Sequence, residues 1–138
     1  MKKRTNRILS ILLTLALSLG LVALAPVTAS AAGVVDVRVN GGKLLNAANP
    51  YLVGGAPAAS GTLGSGGCTA QFVPSTGTLT LQNYSGGEIS ARSSGDLTIN
   101  LVGTNTITSS GSYGISHYIG GSVTITSTAN ASLAIYVN

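Results

Sequence analysis

The chain has 138 residues, 44% of them hydrophobic and only 7% charged, with a formal net charge of +4. Lys2, Lys3, Arg4 and Arg7 supply that excess; beyond residue 31, Arg38, Lys43 and Arg92 balance Asp36, Glu88 and Asp96. This balance excludes a basic nucleic-acid-binding patch, and a single cysteine, Cys68, excludes an internal disulfide.

Residues 1–31 read as a secretory signal peptide. A basic start precedes the apolar run "ILSILLTLALSLGLVALA" (8–25), and small residues stand at Ala29 and Ala31, which predicts cleavage after Ala31. The alternative is an uncleaved membrane anchor, because the run approaches spanning length. The small residues beyond Pro26 favour cleavage. A second apolar segment of spanning length is absent. The mature chain is therefore expected to be extracellular, without a membrane segment, and to associate with the cell surface.

Residues 32–76 read as an amino-terminal cap. "VVDVRVNGGKLLN" (34–46) alternates Val35, Val37 and Val39, turns at Asn40-Gly41-Gly42 and resumes at Leu44 and Leu45, which predicts a β-hairpin. The following stretch, 50–77, is rich in Gly, Ala and Ser, with one short apolar piece around Phe72. Cys68 lies within it, in "GSGGCTAQF", where no neighbouring base could activate a thiol. A half-buried small hydrophobe is the better reading.

Residues 77–138 hold a repeat. "GTLTLQNYSGGEISARSSGDLTI" (77–99) aligns without a gap over "GTNTITSSGSYGISHYIGGSVTI" (103–125), 26 residues apart, with eight identities in 23 positions. The same spacing places Leu133 under Ile107 and Ile107 under Leu81. Each unit contains three short alternating pieces, seen most fully in "LTINL" (97–101), "NTIT" (105–108) and "YGISHY" (113–118). Period-two alternation bounded by Gly, Ser and Asn predicts strands. No helical periodicity appears after residue 33.

Three strands per unit, each too short to fold alone, predict an all-β, right-handed parallel β-helix (solenoid) of two to three rungs behind the hairpin cap. Leu97, Ile99, Leu101, Ile107 and Ile115 are expected inward, with Val123, Ile125, Leu133, Leu81 and Ile89 stacked on them. Thr98, Thr106, Thr108, Ser116 and Tyr118 are expected outward. A β-sandwich would also alternate, but the 26-residue register favours the solenoid. The chain stops at "SLAIYVN" inside a predicted strand. It is expected to be a truncated piece of a longer protein, with further rungs or a partner strand at that open edge.

The run of "VNGGK", "STGTLTLQNYSGGEI", "SGDLTINLVGTNTIT" and "YGIS…GGSVTIT" resembles secreted bacterial surface proteins of clostridial type, the carbohydrate-binding domain-containing parallel β-helix proteins. They are similar in fold to pectate-lyase-like solenoids and generally lack lyase machinery. The resemblance spans roughly 34–138. It implies a polysaccharide or cell-surface glycan as partner, and calcium as an occasional ligand. Here the chain departs in its few acidic residues and its small number of rungs.

The candidate site residues are few. Sugars offer apolar CH patches to aromatic faces, so tyrosines come first. Tyr118 is expected outward, one rung from Arg92, as a cation–π pair or a small sugar platform. Tyr84 and Tyr113 fall in the turns between second and third strands, and Tyr136 on the outer face of the last strand. For each tyrosine, anchoring a turn is the stronger reading and ligand contact the other. Asp96, at a turn start, reads as a backbone cap before a calcium ligand. His117, at a strand end, reads as bonded to a turn backbone.

Glu88 and Asp96 are the only carboxylates of the repeats, and they do not share a column. Arg92 is the only basic residue there. Hydrolase and lyase chemistry are therefore not expected. The function expected is a secreted, non-catalytic polysaccharide-binding or surface-adhesion module with no cofactor. The alternatives are a structural stalk of a larger surface protein and, less favoured, an ice-binding solenoid built on the recurring Thr-x-Thr. If residues 1–31 direct secretion, mass spectrometry of the protein recovered from the medium of a bacterial host should find Ala32 as the first residue. A chain retaining residues 8–25 in the membrane fraction would contradict cleavage.

Overall fold

The computed structural model describes residues 36–138. The signal peptide and its cleavage site lie outside the described residues. The protein is all-β. Strand β1 (Val37–Val39) pairs antiparallel with β2 (Lys43–Leu45). Their turn needs positive φ at Asn40, Gly41 and Gly42 (49, 72 and 101°), which glycine adopts without steric cost. A second hairpin follows, β3 (Tyr51–Val53) with β4 (Ala56–Ala58). The sequence reading did not see it, because three-residue strands are too short to show alternation. β5 (Cys68–Val73) then lies antiparallel to β3, and a single 3-10 turn at Pro74–Thr76 leads into β6 (Thr78–Gln82). The remaining strands are β7 (Ser85–Gly86), β8 (Ile89–Ala91), β9 (Leu97–Val102), β10 (Thr104–Ser109), β11 (Ile115–His117), β12 (Val123–Ser127) and β13 (Ser132–Val137).

These strands form three sheets, ordered β11-β8-β1-β2, β12-β9-β6-β5-β3-β4 and β13-β10-β7. Every pairing among β6 to β13 is parallel, and every pairing that involves β1 to β5 is antiparallel. Two of the sheets are therefore mixed, and β13-β10-β7 is parallel throughout. Both halves feed one core: Val37, Val39, Leu45, Leu52 and Phe72 from the antiparallel part, and Leu79, Leu81, Ile89, Leu97, Ile99 and Ile107 from the parallel part.

The 26-residue spacing holds in two places only. Ile89 pairs with Ile115 and Leu97 with Val123. Elsewhere the register corrects the sequence alignment. Thr78 faces Thr98 and Leu81 faces Leu101, 20 residues on, so "GTLTL" is the neighbour of "LTINL" and not of "TNTIT". The physical reason is burial. At a spacing of 26, Leu79 would lie over Asn105, whereas here it lies over Ile99, and each fully buried Leu or Ile contributes roughly 1.5–3 kcal/mol. At the other end Ile107 pairs with Ile135 and Leu133 with Asn105, 28 residues apart. The turn between β12 and β13 is longer than that between β9 and β10, and Asn130 takes a left-handed φ of 65° within it.

Inward and outward positions follow the alternation through β9 and β10. Leu97, Ile99 and Ile107 are fully buried. Asn105, which the sequence reading passed over, is buried too. Its Oδ1 accepts the Tyr84 N–H at 3.0 Å, and its Nδ2 donates to the carbonyls of Val102, Gly103 and Ser132 at 3.2–3.3 Å. The last turn differs. Val123 and Ile125 lie in register with Leu97 and Ile99 yet are 37% and 48% exposed, because β12 is the outermost strand of its sheet.

Cys68 is more deeply buried than expected, and burial raises its thiol pKa. Chemical denaturation followed by circular dichroism should rank three substitutions. Ile99→Ala should lose about 2–5 kcal/mol through lost contacts and a cavity. Asn105→Ala should lose about 1–3 kcal/mol by stranding buried backbone groups. Exposed Thr124→Ala should stay within about 0.5 kcal/mol.

Candidate functional site

The outer face of the β11-β8-β1-β2 sheet carries the polar groups. Ser90 on β8 lies opposite Arg38 on β1 and beside Ser116 on β11. Arg92 follows β8 directly, as Tyr118 follows β11, and the Tyr118 N–H donates to the Ala91 carbonyl at 3.0 Å. This backbone bond holds the two side chains side by side. The Arg92 guanidinium carbon lies 5.4 Å from the centre of the Tyr118 ring, within cation–π range.

A groove of about 460 Å³ runs along this face. The β1–β2 turn forms one wall, with Arg38, Gly41 and Gly42. Gly87, Glu88, Ser90 and Arg92 follow along β8, and Thr108 to Gly111 close the opposite side. Ser109 Oγ accepts the Gly111 N–H at 3.0 Å and shapes that last turn. Among the described residues no ion pair ties either arginine to Glu88, and Arg38 donates only a 3.4 Å bond to the Gly42 carbonyl. The groove thus presents two guanidiniums, one carboxylate and serine hydroxyls.

Tyr84 is what seats the β1–β2 turn against β8. Its hydroxyl accepts the Asn40 N–H and donates to the Gly87 carbonyl, both at 2.9 Å, while Asn40 Oδ1 accepts the Gly87 N–H at 3.2 Å. The approach requires glycine at 87: a Cβ there would stand 2.7 Å from the Gly41 nitrogen. Burial pushes the Tyr84 phenol up to about 12, so it remains a donor. Tyr84 thus anchors the turn, and the alternative of a sugar contact is corrected: it is 1% exposed and offers no ring face to a ligand.

The other two tyrosines stand in solvent, Tyr113 at 61% and Tyr118 at 59% exposure. They flank a shallow hollow of about 400 Å³ floored by Ile115, Ser116 and His117. Tyr118 belongs to this hollow and Arg92 to the groove, so their contact joins the two. Tyr136, also exposed, pairs with Thr108 at the groove's far side.

His117 bonds through Nε2 to the Gly95 carbonyl at 2.8 Å, which assigns the proton to Nε2. Its Nδ1 is buried without a partner among the described residues. Asp96 caps the next turn, 26 residues on: its Oδ1 accepts both the N–H and the hydroxyl of Ser122 at 2.8 Å. Among the described residues no three His, Cys, Asp or Glu side chains gather to hold a metal.

The sequence reading placed Arg92 and Tyr118 in one column and Tyr113 in a turn; the structure sets Tyr113 and Tyr118 about one hollow. The sequence reading missed Arg38, Glu88 and the Thr108–Gly111 turn. Arg38 arrives through an antiparallel pairing, which a repeat alignment cannot register. The chain matches no family model, no curated protein and no solved structure.

The two Ser122 bonds hold the Asp96 carboxyl below the ordinary carboxylate range. A folded pKa below the unfolded one means that the unfolded chain binds the proton more readily. The anchorage of β12 is thus present above the ordinary carboxylate pKa and lost as pH falls through the depressed value. Asp96→Asn should lower the melting temperature near neutral pH, and the difference from the parent should vanish in acid. A difference that persisted unchanged in acid would contradict the role.

Proposed function

We propose that the protein is a secreted, non-catalytic module that binds polysaccharide or cell-surface glycan, built as a short right-handed parallel β-helix behind an antiparallel cap. The parallel pairings of β6, β9 and β12, of β10 and β13, and of β8 and β11 support the solenoid part of this reading. The observation that carries the binding part is the junction of a charged groove with two exposed tyrosines. The groove supplies donors and acceptors suited to sugar hydroxyls. The rings of Tyr118 and Tyr113 supply faces for the CH patches of a pyranose, and Arg92 stiffens the first of them.

The carboxylates support a binding role over hydrolysis. Glu88 is the groove's only acid, and Asp96 is engaged by Ser122, whereas glycosidases use a facing pair. Calcium, implied by the family resemblance alone, gains no donor set from these residues.

One observation favours a second reading. On the outer face of the largest sheet, Thr78, Thr98 and Thr124 align across β6, β9 and β12, and Thr80, Asn100 and Thr126 form the next column. An ice-binding surface uses such a ladder. The structural-stalk reading has no comparable feature.

The test is retention of the mature chain on insoluble polysaccharides and on a glycan array. Binding is expected, and Tyr118→Ala should weaken it about tenfold, the size of one lost central aromatic contact. Absence of retention on every glycan would sink the reading, and thermal hysteresis in its place would select the threonine ladder.

A further inference from the structure

The groove on the β11-β8-β1-β2 sheet is polarised along its length. Ile89 and Ala91 of β8 lie in the core, so Glu88, Ser90 and Arg92 share the outer face. Four residues of extended chain set the Glu88 and Arg92 backbones about 13 Å apart, which puts carboxylate and guanidinium at opposite ends. Glu88 reaches towards Gly111, where a Cβ would stand 3.4 Å from its Oε2. The other end holds both guanidiniums. Arg38 lies directly opposite Ser90 across the β1–β8 pairing, with the two Cα atoms about 5 Å apart. Arg92 stands two positions further along β8.

Neither guanidinium has a counter-ion among the described residues. Arg38 commits one N–H to the Gly42 carbonyl, at 3.4 Å. Continuing the β1–β8 register by one residue brings Asp36 opposite Arg92, yet no ion pair joins them. The Arg92 guanidinium lies over the Tyr118 ring instead. Held on a ring face, it keeps its in-plane N–H groups for an acceptor.

Ser90, between the two arginines, adds an independent observation. It is 4% exposed, and no hydrogen bond among the described residues engages its hydroxyl. That hydroxyl is nonetheless not sealed inside the protein: His117 Nδ1 is the only side-chain polar atom of the described residues that is both enclosed and unpartnered. The space that Ser90 reaches is the groove. A free hydroxyl flanked by two guanidiniums without counter-ions suits an oxyanion. A guanidinium offers paired donors to two oxygens, and a charge-assisted bond is roughly twice as strong as a neutral one. Neutral sugar hydroxyls would leave both charges uncompensated.

We propose that the glycan taken by this groove is an anionic one, whose carboxylate or sulfate groups are received by Arg38, Ser90 and Arg92 while the Tyr118 ring carries a neighbouring pyranose. This rests on the glycan-binding reading and adds the charge of the ligand. Bulk attraction is not its source, because the three cations and three anions beyond residue 31 cancel.

The test is retention of the purified mature chain on dextran and on cellulose, each in neutral, carboxymethylated and sulfated form. On at least one backbone the charged forms should bind about tenfold more tightly than the neutral form, and the order of the two charged forms tells which oxyanion fits. Added salt should weaken retention on the charged resins and spare the neutral ones. Arg38→Gln should abolish about tenfold of the affinity for the charged resins, with an unchanged far-ultraviolet dichroism. Lys43→Gln removes the same charge from an exposed position on β2 outside the groove and should leave retention unaltered. Equal retention on neutral and charged forms, an Arg38→Gln chain that binds like the parent, or equal losses from Arg38→Gln and Lys43→Gln would each overturn the proposal and leave glycan binding in place. Absence of retention on every charged resin would overturn it as well; only absence on neutral and charged glycans alike removes the glycan reading with it.

Discussion

The amide of Asn105 is the fixed point on which the rest of the structure depends. In the core a polar side chain is tolerable only if all its bonds are made. Asn105 makes four, to Tyr84, Val102, Gly103 and Ser132. Those partners belong to three successive passes of the chain. One side chain therefore fixes how the corner after β6, the corner between β9 and β10, and the start of β13 stack.

From that corner the order passes to the surface. The Tyr84 backbone is held by Asn105, and its hydroxyl holds Asn40 and Gly87. The β1–β2 turn is thereby pressed onto β8, and a groove lined by both Arg38 and Arg92 results. A buried tyrosine that touches no ligand thus shapes the candidate site. The exposed tyrosines depend on a different device, the parallel pairing of β8 with β11, which brings Arg92 and Tyr118 into one column.

Low charge has two consequences in this chain. Parallel stacking places like residues over like, and threonines or leucines tolerate that where repeated charges would repel. The same neutrality leaves the last edge without the lysines that usually discourage pairing.

Much of the architecture was legible because alternation is a local property. "LTINL" and "NTIT" declare which side chains point inward whatever they pack against, and Asn40-Gly41-Gly42 declares a hairpin through its need for positive φ. The adjacency of Arg92 and Tyr118 was legible for the same reason, since the 26-residue spacing is kept between β8 and β11. The place of Leu79 over Ile99, the burial of Tyr84 and the arrival of Arg38 at the groove were not. Each depends on which strands become neighbours, and that choice is made by the burial of side chains distant in sequence and by the four bonds of one amide. The sequence by itself determined strands, faces and neutrality; the tertiary structure decided register, and with it which residues share a surface.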